Sequence, residues 1–203
     1  MKINLEQIYK ELQAWREERK ITAESQKTGY LVNVMEELGE LAGALRDYEK
    51  FSATKQDAAK KQKAEHDIID ALCDISVFTI NAGADIPTPV KRTEIEWKKS
   101  SLNADYILKQ ADYILKQMVE KCAEFSYFEW VDVLAFNIIL INCAYLCEHY
   151  GFNFQIAMDE TIKEISSRTG AYDENAKKWV KDESDEAKAK WYQADYEKAR
   201  IKQ

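Results

Sequence analysis

EELGELAGAL (residues 36–45) and HDIIDALCDISVFTINAG (residues 66–83) decide how this chain folds. The first holds an EExxE pattern, Glu36, Glu37 and Glu40, inside a segment whose apolar residues Leu31, Val34, Met35, Leu38, Leu41, Ala42 and Leu45 recur at helical spacing. That spacing predicts a helix over 28–50. The second holds Asp67, Asp70 and Asp74. At ~100° per residue these three fall within an arc of about 60° on one helix, predicted over 63–84. From Ile75 onward the apolar residues Ile75, Val77, Phe78 and Ile80 surround the axis, so this helix is expected to be central and buried. Beside Ile69, Leu72 and Ile75 a carboxylate is costly unless it is paired or metal-bound. Two helices that bring carboxylates together repel unless a cation lies between them, and all-oxygen ligation suits Mg²⁺ or Mn²⁺.

Each signal also has a plainer reading. EExxE alone describes the wet face of an amphipathic helix, and Asp67 suits a helix N-terminus. Gly39 and Gly43 each cost a helix about 1 kcal/mol relative to Ala, which a solvated face has no need of. They indicate close approach by a neighbouring helix or a ligand.

Working outward, Leu5, Ile8, Leu12 and Trp15 predict a first amphipathic helix over 4–20. Trp15 reads either as core packing or as a wall on which a flat base stacks. Thr22–Thr28 reads as a polar connection with capping residues. Lys50–Ala64 is lysine-rich and reads as a loop or a solvated helix extension. Pro87 and Pro89 mark a connector over 84–103. ADYILKQ occurs at 104–110 and again, identically, at 111–117, within a predicted helix over 104–124. An apolar helix over 128–149 follows. Gly151 then punctuates, and a helix over 154–167 is expected to turn Ile156, Ile162 and Ile165 inward. Arg168, Lys177, Lys178 and Lys181 read as phosphate contacts or as a solvated surface. Ser184 is expected to cap a last helix over 185–200, with Trp191 and Tyr192 packing back.

Composition sets the class. The 203 residues are 46% hydrophobic and 32% charged, which suits one folded domain with a real core. With only 6 glycines and 2 prolines, hairpins and tight turns are starved and an all-α protein is expected. A net charge of −7 without a basic cluster argues against nucleic-acid binding. Val131–Leu146 is broken by Asp132, Asn137 and Asn142, which argues against a membrane span. Cys73, Cys122, Cys143 and Cys147 stand in apolar helical contexts without a CxxC pair, so buried thiols in a reducing cytoplasm are expected. No Ser–His–Asp or Cys–His set, P-loop or GxGxxG is present, and His66 and His149 stand apart.

On EELGELAGAL followed by HDIIDALCDISVFTINAG, the chain resembles the MazG-like, all-α nucleoside triphosphate pyrophosphohydrolases, a group that includes dimeric dUTPases, dCTP pyrophosphatases and phosphoribosyl-ATP pyrophosphohydrolases. LQAWREERKI (12–21) and DETIKEISSRTGAYDENAKKWVKD (159–182) are similar to other parts of that family. The resemblance covers residues 5–84 and 135–198 and leaves 85–134 as an inserted helical segment in a single domain of 1–203. It implies an all-α bundle, a homodimer or higher homo-oligomer, and Mg²⁺-dependent cleavage of a nucleoside triphosphate to a monophosphate and pyrophosphate. It implies Glu37, Glu40 and Asp74 as metal ligands with Asp70 as a fourth, and Asp67 and Glu36 less directly. Glu40 or Glu36 would orient or deprotonate the attacking water; Trp15, Arg168, Lys177, Lys178 and Lys181 would contact the nucleotide. The family's ExxD pattern has no literal match: Ala71 stands where the glutamate is expected, with Asp70 one position earlier. That departure keeps two other classes open, a non-catalytic helical protein that binds a metal or a partner, and a dUTPase-like enzyme that also accepts diphosphates.

Overall fold

In a computed structural model that describes residues 3–53, 57–84, 116–124, 133–176 and 178–202, the chain forms a helical bundle with one small hairpin. Helices α1 (Leu5–Glu18), α2 (Ala23–Ser52) and α3 (Ala58–Ala82) come first. Then come α4 (116–124), α5 (Val133–His149) and α6 (Phe154–Ser167). Strands β1 (Gly170–Asp173) and β2 (Lys178–Lys181) pair antiparallel, followed by a one-turn α7 (Asp185–Lys188) and a 3₁₀ turn over Tyr196–Ala199. The predicted inserted segment lies outside the described residues except for 116–124, 133 and 134. Most of the ADYILKQ repeat, and Lys177, lie outside them as well.

α3 is the hub. It packs against α1, α2, α5 and α6, and between Ile68 and Ala82 nearly every side chain is buried, as its all-round apolar pattern predicts. Its buried hydroxyls are satisfied locally: Ser76 and Thr79 donate to the carbonyls of Leu72 and Ile75 at 2.8 and 2.7 Å. Side-chain hydrogen bonds then register its neighbours. Tyr30 of α2 meets Thr79 at 3.1 Å, and Arg16 of α1 donates to Asn81 at 2.6 Å. Asn4, Thr22, Asn153 and Ser184 cap their helices by accepting a backbone N–H three residues on. All four cysteines are buried and free. Among the described residues no helix is long and apolar enough to cross a membrane.

Several expectations need correcting. α2 starts at Ala23, because Thr22 already caps it, so the polar connection expected over Thr22–Thr28 is a wet helical turn; α3 starts at Ala58, and the described ends of Lys50–Ala64 take the helix-extension reading. Ile156 faces solvent, whereas Ile162 and Ile165 are buried. A hairpin occupies 170–181 despite the shortage of glycine. Its turn is built by Asp173, whose carboxylate accepts from the N–H groups of Asn175 and Ala176 at 2.8 and 3.0 Å. The last helix stops after one turn at Lys188; beyond it, contacts to α6 outweigh local helix preference. Among the described residues Gly39 and Gly43 have nothing within 4 Å of where a Cβ would stand, so no close approach by those residues explains them.

Candidate functional site

Glu37 projects from α2 one turn before Glu40, and Asp70 projects from α3 one turn before Asp74. Because α2 and α3 pack along each other, the two pairs meet across the interface. The result is visible in their proton affinities. Burial first, then the charges of Glu40, Asp70 and Glu36, push Glu37 up to about 7 against the pull of Arg168. Burial, then Asp70 and Glu37, raise Asp74 well above the usual carboxylate range. Asp70 is raised by burial in spite of a hydrogen bond from Tyr196.

Glu164 of α6 and Arg168, the residue that caps its C-terminus, complete the surroundings. Glu164 and Arg168, one turn apart, form an ion pair at 2.8 Å. The carboxylate of Glu164 adds to the negative field on Asp70 and Asp74, while the guanidinium of Arg168 draws down Glu37, Asp70 and Asp74. Arg168 thus acts electrostatically on both acidic pairs. Glu164 was not singled out, since KEIS within an amphipathic helix carries no mark of its own.

The other predicted residues are placed differently. Glu36 and Glu40 are exposed on α2. Asp67 accepts the ammonium of Lys63 at 2.5 and 2.8 Å, an ordinary pair one turn apart on α3. Lys178 and Lys181 stand exposed at the two ends of β2. Trp15 packs against the core, its N–H donating to the carbonyl of Ile165 at 3.2 Å. The buried guanidinium of Arg19 lies 5.3 Å from the Trp15 ring and 5.3 Å from the Trp179 ring, and donates to the carbonyls of Ser166 and Arg168 at 2.9 and 3.3 Å. This sandwich ties the hairpin and the end of α6 to α1.

Glu37, Glu40 and Asp74 make no hydrogen bond or ion pair among the described residues. An unpartnered, largely buried carboxylate such as Asp74 fits a site for a divalent cation in charge and in donor chemistry. The side chains do not form a finished cage: among the described residues no three His, Cys, Asp or Glu groups are arranged to hold a metal ion. No family model, curated protein or solved structure matches the chain.

Proposed function

We propose that the chain is a nucleoside triphosphate pyrophosphohydrolase that uses Mg²⁺, with Mn²⁺ as a substitute, and yields a monophosphate and pyrophosphate. The observation that carries this reading is the meeting of Glu37 and Glu40 with Asp70 and Asp74, with Asp74 largely buried and, among the described residues, without a hydrogen bond. Glu37, Glu40, Asp70 and Asp74 would hold the cation. When bound, it supplies Lewis acidity and charge neutralisation at the phosphates. Ala71, at the position where the resemblance expects a glutamate, is buried in the core at 1% exposure, so Asp70 is the residue available to replace it.

The chain's own groups account for the rest. Glu36, or Glu40 where the cation leaves an oxygen free, both exposed on α2, orients the attacking water or accepts its proton. Arg168 binds the triphosphate with its planar fork of donors, exchanging Glu164 for phosphate oxygens. Lys177, Lys178 and Lys181 supply further positive charge toward the tail phosphates. Exposed apolar residues Leu31, Val32 and Met35 on α2 suit a homodimer in which a second copy covers this face. The free buried thiols suit a reducing cytoplasm.

A non-catalytic reading draws on one specific observation, the absence of a finished metal cage among the described residues. One experiment separates the two. Pyrophosphate release is measured over canonical and modified nucleoside triphosphates and diphosphates, with Mg²⁺, Mn²⁺ or EDTA. The expected result is cation-dependent turnover that falls at least about a hundredfold in Glu37→Gln and in Asp74→Asn. Turnover of diphosphates alongside triphosphates would identify the dUTPase-like variant. Full activity in both mutants would remove the site assignment, and no turnover of any nucleotide would leave the non-catalytic reading standing.

A further inference from the structure

Arg19 is only 3% exposed, although it is charged and stands at the C-terminal cap of α1. Burying a guanidinium is costly unless its donors are used. Here Nη1 donates to Glu18 at 2.8 Å, and Nη2 donates to the carbonyls of Ser166 and Arg168 at 2.9 and 3.3 Å. Both faces of the group are covered as well, by the Trp15 and Trp179 rings. The carbonyls it meets stand at the C-terminal end of α6, where the helix offers them no partner and a cation is favoured by the helix dipole. Trp15 adds its N–H to the carbonyl of Ile165, so α1 takes up the carbonyls of residues 165, 166 and 168.

Arg168 is the residue at which the chain leaves α6. Its backbone is extended, with φ −69° and ψ 119°, and β1 begins at Gly170. The junction is held from several sides. The carbonyl of Arg168 accepts from Arg19, while its guanidinium donates to Glu164, whose other oxygen accepts the Ala194 N–H at 2.9 Å. Ser167 Oγ donates to the Glu164 carbonyl and accepts the Tyr192 N–H, both at 2.8 Å. Arg19 reaches this junction from α1, and through Trp179 it holds the hairpin too.

Resting on the function proposed above, we infer that Arg19 is a positioning residue for the triphosphate: it fixes the backbone from which Arg168 extends, so that the Arg168 guanidinium exchanges Glu164 for phosphate oxygens while the chain around it stays in place. Arg19 touches no phosphate in this role, since its donors are committed to Glu18 and to α6. A guanidinium suits the position and an ammonium does not. Stacking between two rings while reaching two carbonyls needs a flat group with donors along its edge.

The test uses the full-length protein. Calorimetric titration with inorganic triphosphate in Mg²⁺ gives affinity, and pyrophosphate release gives KM and kcat. Arg19→Lys, which keeps the charge, is expected to weaken triphosphate binding and to raise KM about tenfold with kcat retained. Arg168→Lys is expected to lose at least as much. Adding Arg19→Lys to it should cost nothing further, because both changes act through one contact. Lys20→Gln loosens the hairpin by removing an ammonium that lies 4.9 Å from the Tyr172 ring and pairs with Glu174, yet it touches neither carbonyl and should bind as the wild type does. If Arg19→Lys does not fold, Trp179→Leu carries the test with a smaller loss in the same direction, since it strips one face of the sandwich and leaves the hydrogen bonds. Wild-type affinity in the folded variant overturns the inference. So does an equal loss in Lys20→Gln, or a loss from Arg19→Lys that persists in full beside Arg168→Lys. A wild type that binds no triphosphate overturns the proposed function, and this inference with it.

Discussion

Asp74 sits on the largely buried α3 and, among the described residues, makes no hydrogen bond, while Asp70 and Glu37 press further negative charge upon it. In the absence of a cation such a group opposes folding. Asp74→Asn is therefore expected to raise metal-free stability at pH 8 by about 1–2 kcal/mol, measured by urea denaturation, while abolishing any stabilisation by Mg²⁺. A loss of metal-free stability would show that the carboxylate has a partner after all. At this scale the sequence was informative where periodicity and burial conflict. Asp70 and Asp74 stand out because their neighbours Ile69, Leu72 and Ile75 must be buried. Glu164 and Tyr196 do not stand out, because their surroundings are amphipathic or polar, and Tyr196 meets Asp70 across 126 residues of chain. No local pattern encodes such a contact.

Among the elements, the helices were legible and the last forty residues were not. Apolar spacing marks α1, α2, α3 and α6 to within a turn or so, apart from starts that extend into wet turns. The hairpin has two local signals, the turn at Asp173 and Gly170, but neither outweighs the general shortage of turn residues. At Gly170 a Cβ would collide with the Val180 carbonyl oxygen and come within 2.9 Å of the Trp179 ring. Gly170→Ala is expected to cost about 2–3 kcal/mol and to release the hairpin from Arg19, seen as faster amide exchange across β1 and β2. Gly39→Ala, on the open face of α2, is expected to add about 0.5–1 kcal/mol to a monomer. If a second copy packs there, the same change should instead weaken association on a sizing column. The final helix failed as an expectation because the backbone N–H groups of Tyr192, Ala194 and Asp195 donate to the side chains of Ser167, Glu164 and Glu160 on α6 instead of to preceding carbonyls.

For the molecule as a whole, two sets of carboxylates pull stability in opposite directions with pH. Glu37, held near 7, and Asp70 and Asp74, raised, keep protons that the unfolded chain has already released. Their folded pKa values exceed the unfolded ones, so metal-free stability falls as pH rises from about 4 to about 7. Glu160 behaves the other way. Burial alone would raise it, but hydrogen bonds from Lys163, Tyr192, Lys198 and the Asp195 N–H hold it at about 2. Glu197 is lowered as well, first by Arg200 and then by Gln62. Their contribution is complete above the unfolded value of about 4.3 and is lost as pH falls through the folded values. The thermal midpoint of the metal-free protein should therefore peak near about pH 5, and Mg²⁺ should lift only its alkaline side. A midpoint that rises steadily to pH 8 in EDTA would contradict the burial of the cluster.

Tyr196 also places the site in time. A ribosome adds residues at about 5–20 per second, so roughly ten seconds separate the synthesis of Asp74 from that of Tyr196. The nascent chain thus acquires its cluster of negative charge first and the phenol that donates to Asp70 much later. Until then, α2 and α3 can pair with each other only across carboxylates that no hydroxyl has yet steadied.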